Sequence, residues 1–122
     1  MSDVGNDLVP PLRDHPVVGL DDRDGASVMR LAGELDLYNA ADLRAALDQA
    51  IAPGPRCIVI DLALVEFVDS TALGVLIEAR SRLGEDGLRL AAPQLETRRT
   101  LRISGLDRHL TVHDTVDEAL LA

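Results

Sequence analysis

The order of hydrophobic and polar residues divides the chain into segments with strand periodicity and segments with helix periodicity. Residues 57–62 form an almost unbroken apolar run, which is typical of a strand buried on both faces of a sheet. Residues 21–25 are rich in aspartate and lie between two apolar stretches, which predicts a β-hairpin. The predicted strands are at residues 16–20, 27–33, 57–62, 88–91 and 110–113.

Four further segments have hydrophobic residues at helical spacing. After Asn39, a candidate N-cap, Leu43 and Ala50 fall on one helical face. In the second segment Glu78 lies four residues before Arg82, a spacing that favours an ion pair. The order β-β-α-β-α-β-α-β-α predicts an α/β fold, in which about four helices pack against a mixed sheet whose later strands are parallel and joined by right-handed crossovers. The remaining helices are predicted from Ser70 toward Gly84, from Pro93 to near Gly105, and after Asp114, a second candidate cap.

The periodic pattern begins near residue 15. Residues 1–14 lack it and are predicted to be a flexible leader, which leaves residues 15–122 as a single domain. No apolar stretch approaches the ~20 residues that span a bilayer, so no direct membrane insertion is predicted. Cys57 is the only cysteine and lies within the apolar run. We interpret it as a core residue of a soluble, cytoplasmic protein rather than as a reactive thiol.

The charge balance indicates which class of partner to expect, and the spacing of the histidines bears on metal binding. The 21 acidic and 12 basic residues give a formal net charge of -9, which argues against a nucleic-acid partner and favours a protein. Arg98, Arg99 and Arg102 form one basic cluster, which we interpret as a solvated helix face. His109 and His113 are four residues apart in a predicted strand, where that spacing does not create a metal site. Glycine-rich phosphate loops are absent from the sequence, so neither a metal nor a cofactor is predicted.

Ser70 is the candidate for chemistry because it lies at the corner between the central strand and the following helix. A catalytic serine needs a neighbouring base, and no Gly-x-Ser-x-Gly motif surrounds this one, so the protein is not predicted to be an enzyme. Two interpretations stay open. Ser70 is either the N-cap of the helix, worth about 1 kcal/mol, or a regulated side chain. The acidic residues expected in solvated loops are Asp36, Asp61, Glu66 and Asp69.

Two segments together resemble a known family. Residues 28–36 read Val-Met-Arg-Leu-Ala-Gly-Glu-Leu-Asp, and residues 67–76 read Phe-Val-Asp-Ser-Thr-Ala-Leu-Gly-Val-Leu. With the order of elements from about residue 15 onward, they are similar to a STAS domain of the anti-sigma factor antagonist kind. The resemblance implies a small mixed sheet backed by helices, in a bacterial regulator of transcription.

The resemblance also implies a phosphorylation switch at Ser70. An anti-sigma factor serine kinase would phosphorylate Ser70, and a serine phosphatase would restore it. The unphosphorylated form would bind the anti-sigma factor and release the sigma factor. Thr71 and Ala72 stand where a serine and a glycine often follow the acceptor in the family, so Thr71 is an alternate candidate acceptor. The residues that the resemblance places at the partner contact are Gly33, Glu34, Asp36, Asp69, Ser70, Thr71 and Gly74.

STAS domains outside sigma control share the same corner. The alternative function is therefore a non-switching subunit of a lipid-transport or stress-sensing complex, in which Ser70 only caps a helix. The two functions differ in whether negative charge at Ser70 changes partner binding.

Overall fold

The computed structural model describes residues 15–122, and the predicted leader, residues 1–14, lies outside them. The strands are β1 (Val17–Arg23), β2 (Ala26–Leu35), β3 (Ile58–Val68), β4 (Leu88–Ala91) and β5 (Thr111–His113). The α-helices are α1 (Ala40–Ile51), α2 (Ser70–Leu83), α3 (Leu95–Ile103) and α4 (Val116–Leu121), and a 3-10 turn occupies Leu106–Arg108. The predicted order of elements and the four helices are confirmed.

All five strands form one sheet in the order β1-β2-β3-β4-β5. β1 is antiparallel to β2, as a hairpin requires, and each later strand is parallel to its neighbour. The mixed sheet with parallel later strands is confirmed. Because parallel strands end at the same edge, the segments that follow β2, β3, β4 and β5 all lie at one end of the sheet. We call this the carboxyl end of the sheet.

The core lies on both faces of the sheet. Met29 and Ile60 belong to the larger hydrophobic cluster, which includes buried residues of α1 and α2. Their neighbours Val28 and Val59 belong to a smaller cluster on the opposite face, with Ala119 of α4. Successive strand residues point to opposite faces, which is why residues 57–62 read as a continuous apolar run. Cys57 is fully buried in the smaller cluster, which confirms its packing role.

Several element boundaries differ from the predictions. β3 continues to Val68, six residues beyond the predicted end, and it leads directly into α2. α3 begins at Leu95 instead of Pro93, because Ala92 adopts a left-handed φ of 55° and the chain is still extended at Gln94. The cap of α4 is Thr115 instead of Asp114, since the Thr115 hydroxyl accepts from the Glu118 N–H at 3.0 Å.

The predicted ion pair between Glu78 and Arg82 is wrong. Glu78 instead pairs with Arg44 at 2.6 Å, and Arg82 pairs with Asp48. Both pairs join α2 to α1. The two helices pack side by side, so each side chain reaches an opposite charge on the neighbouring helix. Within residues 15–122, no helix combines the length and the apolar character needed to cross a membrane.

Candidate functional site: the corner at Ser70

Ser70 is the first residue of α2, at the carboxyl end of the central strand. Its side chain is exposed, and so are Thr71 and Gly74. On the opposite side of the helix, Ala72 and Leu73 are buried against the sheet. The start of α2 therefore presents one hydroxyl face to solvent while the other face holds it in the core.

The N-cap of α2 is Asp69, and the interpretation of Ser70 as the cap is wrong. Asp69 Oδ1 accepts a hydrogen bond from the Ala72 N–H at 3.0 Å, as a capping side chain does. The capping position is extended, with φ −98° and ψ 178°, whereas Ser70 already lies within the helix. The Ser70 hydroxyl thus has no part in the side-chain hydrogen bond that caps the helix.

Asp69 also joins two segments that are distant in sequence. Its Oδ2 accepts from the Leu37 N–H at 3.1 Å, and its backbone N–H donates to the Leu35 carbonyl at 3.0 Å. One carboxylate therefore caps α2 and fixes the segment between β2 and α1. Asp69 was expected in a solvated loop and at the partner contact. In the structure both of its oxygens hold backbone amides, so it positions the surface around Ser70.

The segment at residues 36–39 is itself organised by side chains. Asn39 does not cap α1 with its side chain. Its Oδ1 accepts from the Asp36 N–H at 2.9 Å, and its Nδ2 donates to the Glu34 carbonyl at 2.8 Å. Asp36 Oδ1 accepts from the Tyr38 N–H at 3.0 Å, and Asp36 is only 7% exposed. The expectation of a solvated loop is wrong for Asp36, which stabilises the turn from inside.

Gly33 and Glu34 lie at an irregularity in β2. The pairing of β2 with β3 shifts register between these residues, and Gly33 has a left-handed φ of 79°. A side chain at Gly33 would meet no neighbour within 4 Å, so the reason for glycine here is the backbone conformation. Glu34 is exposed and opposite Phe67 in β3. The remaining acidic residues, Asp61 and Glu66, lie within β3 and not in loops.

Large apolar side chains that the sequence analysis did not select are exposed on the segments next to Ser70. Leu37 is 63% exposed, Tyr38 is 74% exposed and Phe67 is 51% exposed. Leu37 is tied to Asp69, and Phe67 precedes Asp69 by two residues. The signal in the sequence is a pair of large apolar residues between a strand and a helix. We define the Ser70 surface as Leu37, Tyr38, Phe67, Ser70, Thr71 and Gly74.

The start of α2 suits a negative charge. Among residues 15–122, the backbone N–H groups of Ser70 and Thr71 have no acceptor. The helix dipole adds a partial positive charge at the same place. The Ser70 hydroxyl has no histidine or carboxylate hydrogen-bonded to it within the described chain. A nucleophilic serine needs such a neighbouring base to remove its proton.

The other charged candidates are engaged elsewhere. Arg98 pairs with Asp114 at 2.9 Å, and Arg99 lies 3.7 Å from Glu96. His113 ends β5, and His109 follows the 3-10 turn, so the two do not share a helix face. In the part of the chain that the structure describes, no three His, Cys, Asp or Glu residues are grouped to hold a metal ion.

Comparison with known proteins covers almost the whole described chain. The model of the STAS domain family matches residues 18–119. The anti-sigma-F factor antagonist RsfB of Mycobacterium tuberculosis is 33% identical over 108 residues, which are 88% of each chain. The crystal structure of an anti-sigma factor antagonist from Mycobacterium paratuberculosis is 35% identical and has a TM-score of 0.79, over 86% of this chain and 90% of that one. The phosphorylated form of the Bacillus cell fate determinant SpoIIAA is 27% identical and has a TM-score of 0.62, over 84% of this chain and 95% of that one.

Proposed function

Because this chain belongs to the STAS domain family, we propose that it is an anti-sigma factor antagonist whose Ser70 surface binds an anti-sigma factor with serine kinase activity. The unphosphorylated form binds the partner and so releases a sigma factor. The observation that carries the proposal is the exposed Ser70 hydroxyl on a helix that Asp69 caps. This hydroxyl is free to be modified without loss of the local structure. The protein acts by binding, and it needs neither metal nor cofactor.

Phosphorylation at Ser70 acts on the partner and leaves the fold intact. A phosphate brings about -1.5 to -2 charges, and the amides and dipole at the start of α2 favour it. At the partner interface the same charge lies among Leu37, Tyr38 and Phe67, which provide no positive charge. Burying a charge without a counter-charge is strongly unfavourable. Phosphorylation therefore destabilises the complex with the partner but not the isolated protein.

The related structure of phosphorylated SpoIIAA supports this proposal, since a protein of the same fold carries a phosphate. A serine phosphatase completes the cycle by restoring the hydroxyl. Thr71 is the alternate acceptor, because it is exposed beside Ser70 and its backbone N–H also lacks an acceptor in residues 15–122.

The test begins with affinity capture from the native host's lysate, with the unmodified chain and Ser70→Asp as paired baits. A retained protein that contains an ATP-binding serine-kinase domain is then purified and titrated against both forms. We expect binding to weaken from nanomolar toward micromolar, which corresponds to about 4 kcal/mol. Circular dichroism of the two forms should be the same.

Ser70→Ala is the matched control, because the cap belongs to Asp69 and the substitution removes only the hydroxyl. It should bind as the unmodified chain does and lose phosphorylation, whereas Thr71→Ala should still be phosphorylated. Phosphate retained by Ser70→Ala would assign Thr71 as the acceptor instead. If Ser70→Asp and Ser70→Ala bind equally well, the switch is excluded. If both baits retain the same transport or scaffold subunits and no kinase, the non-switching subunit is the better function.

A further inference from the structure

The second half of β3 has an open edge. β4 pairs with β3 only as far as Asp61, while β3 continues to Val68. α3 packs beside this overhang, and Gln94 Nε2 donates to the Ala63 carbonyl at 2.9 Å. Beyond Ala63, no strand pairs with this side of β3 within residues 15–122. An open strand edge is the usual place where an extended peptide adds to a sheet.

A groove runs between the overhang and α3. It has a volume of about 230 Å³, below the ~300 Å³ at which small-molecule pockets begin, so its size suits one or two side chains of a peptide. Its lining residues are Glu66, Phe67, Val68, Glu96, Thr97 and Thr100.

Thr97 provides an independent sign that the groove is a binding site. Its side chain lines the groove and is 2% exposed, yet its Oγ1 has no hydrogen-bond partner. Most buried hydroxyls are hydrogen-bonded, because an unpaired one is costly. By contrast, the neighbouring Thr100 hydroxyl donates to the Glu96 carbonyl at 3.1 Å. Thr97 is therefore the polar group that a bound segment can satisfy.

The charges at the groove select the occupant. Glu66 is exposed and has no ion pair among the described residues. Glu96 has only the exposed Arg99, 3.7 Å away. Phe67 and Leu64, both more than half exposed, add apolar surface on the same strand. The groove therefore combines two carboxylates with apolar contact area.

We propose that this groove binds an extended segment of a partner protein, in which a basic residue lies between apolar or β-branched residues. The backbone of the segment pairs with the open edge of β3, the basic side chain contacts Glu66 and Glu96, and Thr97 gains a partner. The groove shares Phe67 with the Ser70 surface, and its other lining residues are different. This proposal does not depend on phosphorylation of Ser70.

The probe is a fluorescein-labelled hexapeptide of alternating valine and threonine with one central arginine, and binding is followed by fluorescence anisotropy. We expect saturable binding, with amide NMR shifts concentrated at residues 62–68 and 95–100. Two control peptides carry glutamate in place of arginine or N-methyl groups at alternate amides. Both should bind at least about 5-fold more weakly, as expected for loss of a charge pair or of backbone hydrogen bonds.

Variants of the protein locate the contact. Glu66→Gln with Glu96→Gln should lower the affinity for the arginine peptide by about 5- to 10-fold. Thr97→Val, which keeps the side-chain shape, should lower it by about 5-fold. Glu85→Gln with Asp86→Asn, two exposed residues of the turn at the other end of the sheet, is the charge-matched control and should have no effect. No binding of the arginine peptide, shifts that map elsewhere, or equal binding by all variants would overturn the proposal.

Discussion

The two ends of the sheet are built in different ways. At the carboxyl end, side chains hold the connecting segments, because Asp69 holds the Leu37 N–H and Asn39 bridges Asp36 and Glu34. At the opposite end, backbone groups bond to one another, and exposed side chains add bonds to backbone groups of the turns. The Arg56 N–H donates to the Gly25 carbonyl at 2.9 Å, and the Ile58 N–H donates to the Gly87 carbonyl at 2.7 Å.

The two ends also differ in the side chains that they expose to solvent. The turns at the opposite end are held by backbone bonds and by exposed side chains, and within residues 15–122 no α-helix starts there. Segments held by buried polar side chains can present large apolar residues such as Leu37 and Tyr38 to solvent in a defined position. The carboxyl end is thus suited to partner recognition, and the opposite end serves to connect the helices to the strands that follow them.

The largest effect in this comparison is expected for Asp69→Ala. The substitution removes the cap of α2 and the acceptor for the Leu37 N–H. We expect a loss of about 2–3 kcal/mol in the free energy of unfolding, measured by urea denaturation. The Leu37 amide should also lose its protection from hydrogen exchange.

Asp69→Asn separates the two hydrogen bonds that Asp69→Ala removes together. The amide oxygen can still cap Ala72, but the amide nitrogen cannot accept from Leu37. We expect about half the loss of stability, with the Leu37 amide again unprotected. If Asp69→Ala leaves that amide as protected as before, the carboxyl end is not held by this side chain.

A smaller effect is expected at the opposite end from Gly54→Ala. Gly54 has a left-handed φ of 77° between two prolines, and an added methyl would meet no atom within 4 Å. The cost is therefore that of the backbone conformation, about 1 kcal/mol in urea denaturation. Gly54→Asn should cost less, because asparagine tolerates this conformation. Binding to the anti-sigma factor should not change, and a change would contradict the division between the two ends.

The smallest effect on stability is expected for Gly74→Ala, and its sign is opposite. Gly74 is on the exposed face of α2, and a methyl group there meets open space. Replacing a helical glycine should stabilise the protein by about 0.5–1 kcal/mol. If the partner approaches the helix closely at the Ser70 surface, calorimetric titration should show weaker binding in spite of the more stable fold.

Ser81→Ala is the matched control for Gly74→Ala, because it improves helix propensity on the same helix away from Ser70. It should leave partner binding unchanged. If both variants bind the partner with equal affinity, Gly74 does not lie in the partner contact.

The sequence was most informative where structure depends on near neighbours. The turn at Gly25 and the alternating faces of residues 57–62 were predicted, because local geometry determines them. The Asp-Ser corner was found from its motif, but the motif left open whether Ser70 caps the helix, and in the structure Asp69 does so. Two adjacent residues that both suit a cap cannot be distinguished by type alone. Phe67 was part of the motif, yet its exposure depends on where β4 ends.

The sequence by itself determined the order of strands and helices, the parallel later strands, the buried Cys57 and the position of Ser70 at the start of α2. Those features follow from periodicity and from propensities within a few residues. Only the tertiary structure decided that Asp69 holds Leu37, thirty-two positions away, and that Arg44 and not Arg82 pairs with Glu78. A polar side chain bonds to whichever group the packed elements bring within about 3 Å, and that choice depends on the whole sheet.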